Sequence, residues 1–144
     1  MSGIINSAGS KSGVIGETEI DYEEGEWTPA SSSINLTPSN GANYTRIGNR
    51  VIVSAYLTTT QSSTGDFIVS GLPFTNTGAS QAAGSIYLRT LGTDITNGSP
   101  VLVVASGTSF YVRFGGRSDS GNDVLTKMDA DSNFWMSLTY EIGA

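Results

Sequence analysis

RVIVSAYLTTT, residues 50 to 60, alternates apolar and polar side chains over its whole length. Successive side chains of a strand point to opposite faces, so Val51, Val53, Ala55 and Leu57 share one face. Ile52, Ser54, Tyr56 and Thr58 share the other. An eleven-residue run of period two, rich in β-branched and aromatic residues, reads as a half-buried β-strand. Its apolar face needs a partner layer.

Outward from this strand the chain repeats the theme. Upstream, Gly48-Asn49 reads as a tight turn requiring positive φ, with Tyr44 to Gly48 as the strand feeding it. Glu26 to Pro29 reads as an opening strand stopped by the proline. Downstream, Asp66 to Ser70 is a short strand closed by Gly71-Leu72-Pro73-Phe74, and Ser85 to Leu91 alternates again. Val101 to Ala105 and Thr108 to Phe114 read as a hairpin across Ser106-Gly107, with Phe110, Val112 and Phe114 on one face. The last strand, Phe134 to Ile142, turns Phe134, Met136, Leu138, Tyr140 and Ile142 inward. Trp135, Ser137, Thr139 and Glu141 then face out or toward a neighbour. Thr75 to Ala83 and Gly115 to Asp123 are polar loops.

About eight strands at this spacing predict an all-β, antiparallel β-sandwich, jelly-roll-like, over residues 22–144. Composition agrees. Gly accounts for 18 of 144 residues and charged residues for only 14%, while Ser, Thr and Asn, all weak helix formers, are abundant. No window carries a sustained helical apolar pattern. A hydrophobic content of 38% builds one modest core and leaves room for a neighbouring subunit to supply further burial.

Charge and missing residue types exclude several functions. The net charge is −6, and six of thirteen acids fall in Glu17, Glu19, Asp21, Glu23, Glu24 and Glu26. The rest of the chain balances seven acids against seven basic residues. Without a basic stripe, neither nucleic acid nor an anionic membrane is an expected partner. No apolar run is long enough to span a bilayer as a helix, and the N-terminus lacks the basic start and apolar centre of a signal peptide. Cysteine and histidine are both absent, which removes disulfides, Cys/His metal sites, thiol nucleophiles and histidine general bases.

Candidate chemistry is thin. The acidic run reads as a solvated linker or a contact for a basic partner rather than as an acid–base pair on converging strands. Asp129, Asp131 and Asn133 imitate the start of a calcium loop, but Phe134 and Tyr140 occupy the positions that need Gly and Glu. Asp119 and Asp123 suit a plain turn better than an ion site. No cofactor or metal is expected and no enzymatic activity. Trp27, Trp135, Tyr87 and Tyr111 are large enough to stack on sugar rings, though packing in a core or an interface is the commoner use of such residues.

Residues 1–21 differ from the rest: small and polar, with apolar pairs Ile4-Ile5 and Val14-Ile15 ten residues apart. The segment reads as an extended anchor arm that buries Ile4, Ile5, Val14 and Ile15 on a partner and pairs its backbone with a strand edge.

Three motifs stand in order: Asp21-Tyr-Glu-Glu-Gly25-Glu-Trp27-Thr-Pro29, then Tyr44-Thr-Arg-Ile47-Gly48-Asn49-Arg-Val51, then Val69-Ser-Gly71-Leu72-Pro73-Phe74. Together they resemble a module of bacteriophage tail-fibre, tail-spike and other virion surface proteins. The resemblance covers about residues 21–74, and the segment Gly3-Ile-Ile-Asn-Ser to Gly13-Val-Ile-Gly16 looks like the leader preceding this module in some phage-like sequences. It implies a trimeric β-structure on the virion, assembled in the bacterial cytoplasm, in which Trp27, Ile47, Gly48, Asn49, Gly71, Leu72, Pro73 and Phe74 are structural. The expected function is that of a head-decoration (cement) or short fibre subunit bound to capsid or tail proteins. The alternative is a receptor-binding fibre tip that recognises a host-surface glycan.

Overall fold

A computed structural model describes residues 21–60, 67–77, 82–89, 100–104, 107–114 and 131–143. Eight strands carry the chain: β1 (Tyr22–Glu26), β2 (Leu36–Ile47), β3 (Arg50–Thr59), β4 (Ile68–Ser70), β5 (Ala83–Arg89), β6 (Pro100–Val104), β7 (Ser109–Phe114) and β8 (Asn133–Glu141). Every pairing is antiparallel, in the order β1-β2-β3-β8-β5-β6-β7-β4. The all-β, antiparallel architecture is therefore the one that the alternation demands.

The sheet folds on itself at β5. Its first two residues pair with β6, whereas Ser85–Arg89 pair with β8. Gly84, at the last of the β6 pairings, stands where the strand changes partner. One arm of the fold is β1-β2-β3-β8-β5 and the other is β5-β6-β7-β4. The two close on a single apolar cluster. Val51, Val53, Leu57, Phe134, Leu138 and Tyr140 enter it from one arm, and Val69, Phe110 and Val112 from the other. Phe67 and Phe134 meet edge to face across the layers, with ring centroids 5.6 Å apart.

Single-residue bridges close the margins. Ala30, beyond β1, exchanges two backbone hydrogen bonds with Ser70 of β4, at 3.0 and 2.7 Å, joining the two ends of the sheet. Asn76 bridges both Gly107 and Ile142, one before β7 and the other after β8. These contacts occupy edge groups that would otherwise be open to another chain.

Three readings need correction in detail. The opening strand is Tyr22–Glu26, not Glu26–Pro29, so Glu23, Glu24 and Glu26 of the acidic run lie on an edge strand. Charged side chains on an edge strand discourage unwanted pairing. The strand before the turn begins at Leu36, not Tyr44; a register shift between Pro38 and Ala42 accommodates Pro38 and the positive φ of Gly41, and hides the period in sequence. In the Gly48-Asn49 turn only Gly48 has positive φ (59°), as a two-residue loop with glycine first requires. The sheet order contains two overlapping Greek keys, β4 to β7 with β4 beside β7 and β5 to β8 with β8 beside β5, while β1 to β3 are a plain meander.

Candidate functional site

The three sequence motifs meet at one place. Residues directly opposite one another across a sheet share a face. Gly25 stands opposite Tyr44, and Glu23 opposite Arg46. A Cβ at Gly25 would lie 2.9 Å from the Tyr44 ring, so the glycine makes space for that ring across the strand pair. Tyr44 packs edge to face on Phe74 at 5.4 Å, and the Arg46 guanidinium lies 5.3 Å from the centroid of the same Phe74 ring. Arg46 donates to the Gly48 carbonyl (2.9 Å) and pairs with Asp21 (3.5 Å) and Glu23 (3.8 Å). The Tyr44 hydroxyl donates to Glu23 at 2.6 Å, and that bond to a carboxylate holds its pKa above the ordinary phenol value.

Tyr140 completes the knot from β8. Its hydroxyl donates to the Phe74 carbonyl (3.1 Å) and accepts from the Phe74 N–H (3.3 Å). Burial pushes its pKa up to about 12, with the hydrogen bond donated by the Phe74 N–H pulling the other way. Gly71 has φ of 91°, and a Cβ there would overlap the Thr28 carbonyl oxygen. Leu72 is buried, while Pro73 and Phe74 are half-buried. Trp27 is in the core and donates its indole N–H to the Ser54 carbonyl at 3.3 Å.

Of the motif residues, Tyr22 and Ile47 have large hydrophobic side chains on the outside, at 62% and 46% exposure. They belong to a second feature, the outer face of β1-β2-β3-β8-β5. Along that face run the rows Tyr22–Ile47–Arg50–Glu141, Glu24–Thr45–Ile52–Thr139, and Tyr56–Trp135–Tyr87. Tyr56 and Trp135 stack at 4.2 Å with rings 13° apart, and Tyr87 leans on Trp135 at 5.7 Å. A row of small polar residues, Asn43–Ser54–Ser137–Ser85, separates the aromatic end from the aliphatic one. Alternation located Trp135, Ile52 and Tyr56 on this face; Tyr22 and Ile47 joined it only once β1 was paired to β2.

Nothing among the described residues assembles acid–base or metal chemistry. Glu23, Glu24 and Glu26 lie on the edge strand β1 and Glu141 pairs with Arg50 at the end of β8, and no three described carboxylates gather as ligands. Asp131 lies in a turn, with φ of 74° and its N–H bonded to the Thr59 carbonyl. Ile4, Ile5, Val14 and Ile15, together with Asp119 and Asp123, lie outside the described residues.

No family model matches the chain, and no curated protein matches it in sequence. The fold is similar to that of a solved structure, the Dettilon tailspike protein (gp208), with a TM-score of 0.68 and 20% identity. The likeness covers 85% of this chain and 24% of that one, so this chain spans about a quarter of the tailspike's length. In fold, the chain is an antiparallel β-structure of a kind also found within a phage tailspike protein.

Proposed function

We propose that this chain is a non-enzymatic structural protein of a bacteriophage particle, carried on its surface as a head-decoration or short fibre subunit. In this reading residues 1–21 hold it to capsid or tail proteins and the β-domain assembles as a homotrimer. The observation that carries the proposal is the fold likeness to a tailspike protein over 85% of the chain. The knot of three motifs supports it: Gly25, Tyr44, Arg46, Gly71 and Phe74 hold strands together and present no reactive group.

The test is to locate the chain in purified particles by mass spectrometry and gold-labelled antibody. Stoichiometric labelling of a capsid or tail surface is expected. A chain confined to the host cytoplasm and missing from particles overturns the proposal. Absence of catalysis is tested separately, by incubating the purified protein with host capsule and lipopolysaccharide; release of reducing ends would overturn that part.

The stacked Tyr56–Trp135 pair with Tyr87 beside it favours a second reading, a module that binds a host-surface glycan. Sugar rings stack on such platforms while hydroxyl-bearing neighbours bond their edges. Quenching or shift of Trp135 fluorescence by host polysaccharide tests it.

A further inference from the structure

We infer that the outer face of β1-β2-β3-β8-β5 is the surface through which copies of this chain meet. The inference rests on the homotrimer reading and names the surface which that reading leaves open. The large hydrophobics exposed among the described residues are Tyr22 (62%), Ile47 (46%), Ile52 (40%), Tyr87 (64%) and Trp135 (38%). The strand register puts all five on this one face. Scattered exposed apolar residues mean little, but convergence on one face marks an interaction surface.

Size and chemistry choose the occupant. Five strands at about 4.8 Å spacing, averaging about 30 Å in length, give roughly 700 Å², close to the ~800 Å² per partner of a stable protein interface. A sugar platform needs only the aromatic end. The aliphatic end, Ile47 and Ile52 with Tyr22, offers nothing to a glycan hydroxyl and suits a protein partner. Aromatic side chains are also enriched in interface centres. The rim is charged in opposite senses: Glu24 and Glu26 on β1 at one margin, Arg89 on β5 at the other. A second copy would therefore bring a basic margin to meet the acidic one, the heterologous contact that a closed three-fold ring repeats.

The experiment compares the full-length chain with the double variant Ile52→Glu/Tyr87→Glu, and with Tyr87→Ser as a milder change. Light scattering gives mass, circular dichroism gives fold, and acrylamide quenching reports on Trp135, since Trp27 is buried. The wild type is expected at three times 15.0 kDa with shielded tryptophans. The double variant is expected folded, with a threefold lower mass and one quenchable tryptophan; Tyr87→Ser should dissociate at higher concentration than the wild type. A trimer that survives both changes overturns this face but leaves the trimer reading intact. A 15.0 kDa wild type at micromolar concentration overturns both. In that case Trp135 protected by host polysaccharide assigns the face to glycan, and Trp135 protected without additives assigns it to another part of the same chain.

Discussion

Gly71 and Gly48 both have positive φ, yet they carry different weights. At Gly48 a Cβ would meet nothing within 4 Å, so Gly48→Ala should cost only the left-handed backbone penalty, about 1–2 kcal/mol. At Gly71 the same penalty is joined by overlap with the Thr28 carbonyl, whose segment is pinned by the Ala30–Ser70 bridge. Gly71→Ala should therefore cost clearly more, on the order of 3 kcal/mol or above. Urea denaturation of the two variants checks the order; equal losses would show that the Thr28 segment yields. Tyr140 makes a second residue-scale prediction. Its folded pKa of about 12 lies above the ordinary value of 10.0. The neutral phenol therefore contributes stability that is complete below pH 10 and is lost as pH rises toward 12. In an absorbance titration Tyr140 should ionise at about pH 12. Tyr140→Phe should lower stability at neutral pH by about 1 kcal/mol and weaken the alkaline loss, because two bonds to Phe74 go with the hydroxyl. An unchanged alkaline profile in that variant would place the sensitivity elsewhere.

At the scale of elements, β1 depends on what its side chains meet. It is a five-residue edge strand carrying three glutamates, and among the described residues its one strand partner is β2. Arg46 offsets that acidity through Asp21 and Glu23, and it ties the β2–β3 turn through the Gly48 carbonyl. Exposed ion pairs are worth ~0–1 kcal/mol each and the contact with Phe74 about 0.5–1 kcal/mol. Arg46→Ala should thus cost about 1–2 kcal/mol in all. It should also raise amide exchange across Tyr22–Glu26 more than across β3, and Arg46→Lys should recover only part of the loss because a point charge lacks the planar fork. Uniform acceleration across the sheet would refute a local role. In sequence, the acids and Arg46 were visible but their pairing was not, since it requires the β1–β2 register. The strand β3 was legible to within a residue because it is half-buried along its whole length. By contrast, the first half of β2 carries Pro38 and Gly41, and no period survives the bulge between them.

At the scale of the molecule, β5 belongs to both arms and one apolar cluster fills the space between them. The two arms should unfold together. Backbone dichroism and tryptophan fluorescence should trace one coincident transition, and Phe134→Ala should shift both by about 3–5 kcal/mol. Separate transitions would mean that the β5-β6-β7-β4 arm folds independently. The anchor is the other prediction at this scale. Fully burying an Ile or Val side chain contributes about 1.5–3 kcal/mol, against about 1–2 kcal/mol per ordered backbone residue, so under the proposed anchor and homotrimer one arm would bind marginally and three would bind together. Ile5→Asp with Ile15→Asp should abolish incorporation into particles while the domain melts as before, because each charge would be buried unpaired. Wild-type occupancy of the double variant, or loss of its fold, would sink the anchor.

The alternation in Arg50–Thr60 and Phe134–Ile142 determined by itself that the chain is an antiparallel β-protein, and it determined which residues face the core. Period two is a local property: it follows from the direction of each Cβ and needs no knowledge of neighbours. Strand order, the Greek keys, the division of β5 and the meeting of Gly25, Tyr44, Arg46, Gly71 and Phe74 were decided only in the tertiary structure. So was the convergence of Tyr22, Ile47, Ile52, Tyr87 and Trp135 on one outer face. These features join residues far apart in the chain, and register sets them: a slip of one residue would carry Ile52 inward and Val53 out.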